Sequence, residues 1–281
     1  MGIKIITDSA SDISQADAKQ LGISVLPLTI RFGTEEFLDG VNLTPAQFFR
    51  RLEGGTVFPQ TSQITPYIYK LVFSEAVAKG DDVVCFCLSS GVSGSYQSAC
   101  FAAGEFGNRV YVLDTRQFCV SERIIVERAV QLRDAGFTIA ELVGIISAEM
   151  RRAHVFAAFD TLEYLKRGGR LSAAGAAVGG LLNIKPVLTI TDGVVDVLAK
   201  ARGAKKACEM LLAEIAKAGE PDFSRPVCFG STGDTDELLQ QFMARFREEY
   251  TYTAPARKVP VGATIGAYAG PGAIAVAFFT K

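Results

Sequence analysis

The sequence predicts a two-domain α/β protein: an N-terminal parallel-sheet domain over residues 1–153 and a second α/β domain over 154–281, with an approximate boundary. Three observations predict it. DDVVCFCL (81–88) and NRVYVLDT (108–115) are near-continuous apolar runs bounded by polar residues, as expected of strands covered on both faces. Helical patterns alternate with these runs. The chain has 281 residues, 49% of them hydrophobic, which suffices for two modest domains with a real core.

GIKIITD reads as the first strand and SQADAKQLG as a helix with Ser14 as N-cap. ISVLPLTIRFG reads as a second strand. TPAQFFRRLEGG is a short helix, capped by Thr44 with Pro45 in its first turn. ITPYIYKLVFSEAVAKG is an amphipathic helix closed by Gly80. After the two apolar strands, CVSERIIVERAVQLRDAG and TIAELVGIISAEMRRA form long helices that end the first unit. HVFAAFDTLEYLKRGGR opens the second. NIKPVLTITDGVVDVLAKARG reads as a hairpin turning at Thr191-Asp192-Gly193. The helix AKKACEMLLAEIAKAG, the strand VCFGSTG and the charged helix DELLQQFMARFREEY follow. The tail from Arg257 reads as one or two strands split at Gly270-Pro271-Gly272. A groove between the two units is the expected ligand site.

Composition narrows the function classes. Net charge is −1, and no clustered basic stretch suggests a nucleic-acid surface. The N-terminus lacks the charged and apolar regions of a signal peptide. The most apolar stretch is broken by Gly179, Gly180, Lys185 and Pro186, so stable membrane insertion is not expected and the reading is cytoplasmic. Six cysteines without a CxxC read as reduced core thiols, and Cys85 and Cys87 share one strand face. The single histidine, His154, argues against a zinc site, and no metal or cofactor is expected.

CLSSGVSGSYQSA (87–99) gathers five serines and two glycines at a strand-to-helix turn. Free backbone N–H groups and the helix dipole favour an anion there, phosphate or carboxylate, and serine hydroxyls add donors without charge. Simple capping by Ser93 or Ser95 explains the same residues. Thr61, Ser62 and Gln63 precede another helix, and Thr7, Asp8 and Ser9 follow the first strand. In a parallel sheet such turns lie along one edge, so the three hydroxyl clusters are expected to converge. KRGGR (166–170) supplies cations beside a tight turn, with Arg170 able to point inward. Ser172 to Leu182 is rich in Ala and Gly; it reads either as close helix packing or as the wall of a space for an alkyl chain. A catalytic reading, with Ser93 as the nucleophile of a hydrolase or of an acyl- or phosphoryl-transfer enzyme and Asp8 or Asp114 assisting, lacks a GxSxG elbow and an evident base.

TDSASD (7–12), TSQ (61–63), SSGVSGSYQSA (89–99), DTLEYLKRGGRLS (160–172), NIKPVL (183–188) and GPGAIAVAF (270–278) resemble, in order and end to end, the DegV family. That family includes the fatty-acid-binding subunits of bacterial fatty acid kinase. The resemblance implies a non-catalytic lipid-binding protein that holds one long-chain fatty acid, C14–C18, with its tail between the domains. It implies that Thr61 and Ser93, with Ser62 beside them, hydrogen-bond the carboxylate. Arg170 would lie near the head group and the surface approached by a fatty acid kinase catalytic subunit, and Arg202 in KARGAKKA would face the same partner. Where the family often carries histidine before GPG, this chain has Tyr268, a neutral phenol. Head-group recognition should then lean on the hydroxyls. Roughly fourteen buried methylenes at about 0.8 kcal/mol each would supply the affinity.

Overall fold

The structure is a computed structural model and describes residues 2–171 and 184–281. The first half carries β1 (Ile3–Asp8), α1 (Gln15–Leu21), β2 (Ser24–Leu26), β3 (Thr29–Phe32), β4 (Glu35–Leu38), α2 (Pro45–Gly54), β5 (Gln60–Ser62), α3 (Pro66–Ala78), β6 (Asp82–Cys87), α4 (Ser95–Ala103), β7 (Val110–Asp114), α5 (Val120–Asp134) and α6 (Ile139–Glu149). The second half carries β8 (Ala153–Ala158), α7 (Glu163–Gly168), β9 (Ile184–Thr191), β10 (Val194–Arg202), α8 (Ala204–Ala218), β11 (Cys228–Ser231), α9 (Glu237–Tyr250), β12 (Arg257–Pro260), α10 (Ala263–Ala269) and β13 (Ile274–Phe279).

A four-stranded parallel sheet has the order β2-β1-β6-β7. Its strands share a direction, so Asp8, Leu26, Cys87 and Asp114 end along one edge and their loops emerge together. A six-stranded sheet, β10-β9-β8-β13-β11-β12, is antiparallel except for its β11–β12 pair. Helix α5 lies between the two sheets. Val120, Ile124, Ile125, Val126 and Ala129 are fully buried in one apolar cluster with Ile5 and Val84 from one sheet and Ala277 and Phe279 from the other. A helix buried all round must pair any charge it carries. Arg123 does so, donating to Asp17 at 2.6 Å, to Glu127 at 2.8 Å and to the Asp12 carbonyl at 2.8 Å.

The predicted caps are present: Ser14 accepts from the Asp17 N–H, and Thr44 forms a reciprocal capping box with Gln47. Two readings need correction. ISVLPLTIRFG is two strands in different sheets, because Pro27 cannot donate to a ladder and the Leu28 N–H goes to the Ser9 hydroxyl at 3.0 Å. β3 then builds a small antiparallel sheet, β4-β3-β5, in which Thr61 lies opposite Ile30; the TSQ stretch is therefore largely strand. The tail is strand, helix, strand. Helix α10 reads as strand in the sequence because Ala and Gly give it no helical stripe. It forms where three successive N–H groups, those of Gly262, Ala263 and Thr264, find the buried carboxylates of Asp12 and Asp39 at 2.7–3.0 Å.

Candidate functional site

Two adjoining compartments lie between the halves of the chain. The outer one, a mouth of about 360 Å³, is lined by Thr61, Ser62, Ser93, Arg170 and Tyr268, with Gln63 and Gly94 beside them. Each element delivers its residue for a local reason. β5 ends in Thr61-Ser62 beside β3, and α3 starts just after it. The serine turn after β6 is held from below: the Asp8 carboxylate accepts the Leu88 N–H at 2.8 Å and the Ala10 N–H at 3.0 Å. Ser89 donates to the Gly193 carbonyl at 2.7 Å, which locks this turn to the β9–β10 hairpin of the other half. Gly193 sits at φ +81°, and a Cβ there would meet the Ser89 hydroxyl at 2.3 Å, so glycine is required twice over. Gly94 likewise leaves room for the Gln63 side chain, which donates to Ser98 at 2.9 Å.

Within the mouth, the Thr61 hydroxyl and the Tyr268 phenol share a hydrogen bond of 2.5 Å. The Arg170 guanidinium lies 5.2 Å from the centre of the Tyr268 ring and donates to the Gly168 carbonyl at 2.7 Å. Ser93 bonds the hydroxyl of Ser95 at 3.1 Å and accepts its N–H at 3.2 Å. Among the described residues these are the partners of the Ser93 hydroxyl, and neither is a base. His154 lines a different groove, beyond the inner pocket. Asp114 takes the Ser90 hydroxyl at 2.5 Å and Asp8 takes backbone N–H groups, so neither assists Ser93. The arrangement offers an anion neutral donors and one adjacent cation.

The inner compartment is a narrow pocket of about 60 Å³, lined by apolar side chains such as Val155, Ala157, Leu188, Val261 and Ile274. Its two threonines turn their hydroxyls to the backbone. Thr189 donates to the Val155 carbonyl at 2.7 Å, and Thr232 accepts the Ala273 N–H at 2.8 Å. Phe118, Phe159, Val195, Ile265 and Ala269 line both compartments, so one wall continues from mouth to depth.

Beneath the mouth lies a layer of buried acids. Burial pushes Asp8 up to about 7 against the opposing N–H bonds of Leu88 and Ala10. It pushes Asp12 up to about 7 as well, against the Gly262 N–H. Burial also raises Asp39 and Glu122, the latter accepting from Thr7 at 2.9 Å. Among the described residues, no group of three His, Cys, Asp or Glu side chains is placed to hold a metal ion. No helix among them is long and apolar enough to cross a membrane.

The structure therefore brings Thr61, Ser62, Ser93, Arg170 and Tyr268 around one cavity, and two of the three hydroxyl clusters line it. The first cluster does not; Thr7, Asp8 and Ser9 brace the floor through Glu122, Leu88 and Leu28. Arg202 is exposed at the end of β10, away from the lining. The apolar stretch expected at Ser172 to Leu182 lies outside the described residues. Sequence reasoning missed Phe118, Phe159, Val195, Thr264 and Ile265, which come from four separated segments with no shared motif.

Comparison with known proteins agrees along the whole chain. The model of the DegV family, described as "Uncharacterised protein, DegV family COG1307", matches residues 2–281. A DegV domain-containing protein of Caldanaerobacter subterraneus subsp. tengcongensis is 36% identical over 280 residues, covering 99% of each chain. A solved DegV family protein of Thermus thermophilus, described as fatty-acid binding, superposes with a TM-score of 0.92 at 33% identity over 100% of both chains. A stearic-acid-binding protein of Eubacterium ventriosum superposes at 0.90 with 27% identity, covering 100% of this chain and 99% of the other. On its sequence and its fold alike, the chain belongs to the DegV family.

Proposed function

We propose that this protein binds one long-chain fatty acid, with the tail in the inner pocket and the carboxylate at the mouth, and presents it to a separate fatty acid kinase without being an enzyme itself. The observation that carries the reading is the pairing of the two compartments along one wall: hydroxyl-bearing side chains and Arg170 line one, and apolar side chains line the other. The solved relatives described as binding fatty acids support it. Thr61 and Ser93, with Ser62, solvate the carboxylate without neutralising it, which spares a buried anion the cost of unmade hydrogen bonds. One carboxylate oxygen then stays open to a phosphoryl donor. Arg170 stands at the rim for the partner's approach, and Arg202 offers a second cation on the surface.

Denaturing extraction followed by mass spectrometry tests the binding. A C14–C18 fatty acid at about one per chain is expected; a protein that binds no fatty acid on reconstitution and cleaves an ester would replace this reading with the catalytic one. Addition of a fatty acid kinase catalytic subunit with ATP tests presentation, acyl phosphate being the expected product.

A further inference from the structure

The inner pocket has a second end. β8 and β9 pair only from Phe156–Ala158 to Val187–Thr189. Beyond that point β8 keeps its other neighbour, with Val155 opposite Ala277, and β9 keeps its own, with Ile190 opposite Val195. Both strands run on, β8 to Ala153 and β9 to Thr191, but not with each other. The ladder between β8 and β9 ends there, at a gap in the backbone pairing. The Thr189 hydroxyl crosses its start to reach the Val155 carbonyl at 2.7 Å. Thr189 and Ile190 line the inner pocket on one side and, on the other, an open groove of about 750 Å³. The groove includes Met150, Phe156 and Leu198. Leu198 stands at the register shift between Val197 and Ala199 and is 38% exposed, an apolar side chain at the edge of water.

We infer that this gap is a chain-length gate: Ile190 and Thr189 stop the tail at the end of the inner pocket, and a longer acyl chain passes between β8 and β9 onto Leu198. The inference rests on the fatty-acid reading above. A methylene that stays in water gains nothing, whereas each one newly buried is worth roughly four-fold in affinity. Opening the gate therefore changes the length profile and leaves the head group alone.

The test is the dissociation constant of saturated C12 to C22 fatty acids for the wild-type protein, Ile190→Ala, Ile190→Phe and Ile190→Ala/Leu198→Asp. Ile190→Ala is expected to improve C20 and C22 about fifteen-fold relative to C16, two further methylenes being buried. Ile190→Phe should move the optimum to shorter chains. Leu198→Asp, at an exposed site, should cancel the gain for C20 and C22 while leaving C16 unchanged. An unaltered length profile in both Ile190 variants, each melting within a few degrees of wild type, overturns the gate while fatty-acid binding stands. If Ile190→Ala loses its fold, the Ile190→Phe profile decides alone. A wild-type protein that binds no fatty acid of any length overturns the gate together with the reading beneath it.

Discussion

At the mouth of the cavity, the hydroxyls of Thr61 and Ser93 bond other hydroxyls; in the inner pocket the hydroxyls of Thr189 and Thr232 bond the backbone. Thr61, on a short strand, shares its hydroxyl with the Tyr268 phenol, and Ser93, on a turn, shares its own with Ser95; both are partners that a ligand oxygen can join or replace. Thr189 and Thr232 lie in or beside the six-stranded sheet, where backbone groups take their hydroxyls and leave methyl groups to the pocket. One residue type thus builds a polar wall or an apolar one, according to which backbone groups lie within reach. Composition alone does not separate the two.

If the inner pocket supplies the affinity, filling it should have the largest effect. Ala157→Phe places a ring in the apolar lining and is expected to weaken fatty-acid binding by more than a hundred-fold, since excluding even four methylenes costs about 3 kcal/mol. Isothermal titration of a folded variant checks this; an affinity near wild type would show that the tail lies elsewhere. Removing the mouth's donors should do less. Thr61→Ala with Ser93→Ala is expected to cost at least several-fold, each hydrogen bond to a charged group being worth ~1.5–3 kcal/mol with incomplete additivity. A fluorescent fatty-acid displacement assay that shows no change would remove both residues from the head group.

The acid layer under the mouth gives a third handle. Asp8 and Asp12 hold protons up to about pH 7 in the folded chain and release them near their ordinary value of 3.8 when unfolded. Between those values the folded state binds more protons. Its stability is therefore highest at the acid end of the window and falls as pH rises toward 7. Asp17 and Asp222, shifted downward, titrate below this window. His154 acts in the opposite sense, since burial lowers it below 6.5. The urea midpoint is expected to fall by an amount equivalent to several kcal/mol between pH 5 and 8, roughly 2–3 from each aspartate less the opposing share of His154, and Asp8→Asn should remove about half of that slope. A midpoint that rises across the same range would mean that both aspartates are charged throughout. The smallest effect is expected from Tyr268→His, which keeps a donor at the mouth and should leave tail affinity within about two-fold; a collapse in the same displacement assay would make the phenol a principal ligand contact.

Much of this was legible in the chain. DDVVCFCL and NRVYVLDT specify buried strands through their apolar runs, and Ser14 and Thr44 mark helix starts through side-chain oxygens that reach only a few residues away. The turns holding Thr61 and Ser93 were visible for the same reason: glycine, serine and threonine act locally. α10 was not visible. Its first N–H groups are satisfied by Asp12 and Asp39, more than two hundred residues earlier, so nothing beside it announces a helix. The division of ISVLPLTIRFG between two sheets was equally hidden, because the Ser9 hydroxyl that takes the Leu28 N–H comes from another turn.

By itself the sequence determined the α/β class, the order of most elements and the residue types gathered at the mouth, since periodicity, capping and turn chemistry are short-range. Folding in three dimensions decided which hydroxyl-bearing side chains line the cavity, which acids lie beneath it, and where the ladder between β8 and β9 ends. Those outcomes depend on partners far apart in the chain, and an orientation is fixed only when the partner arrives.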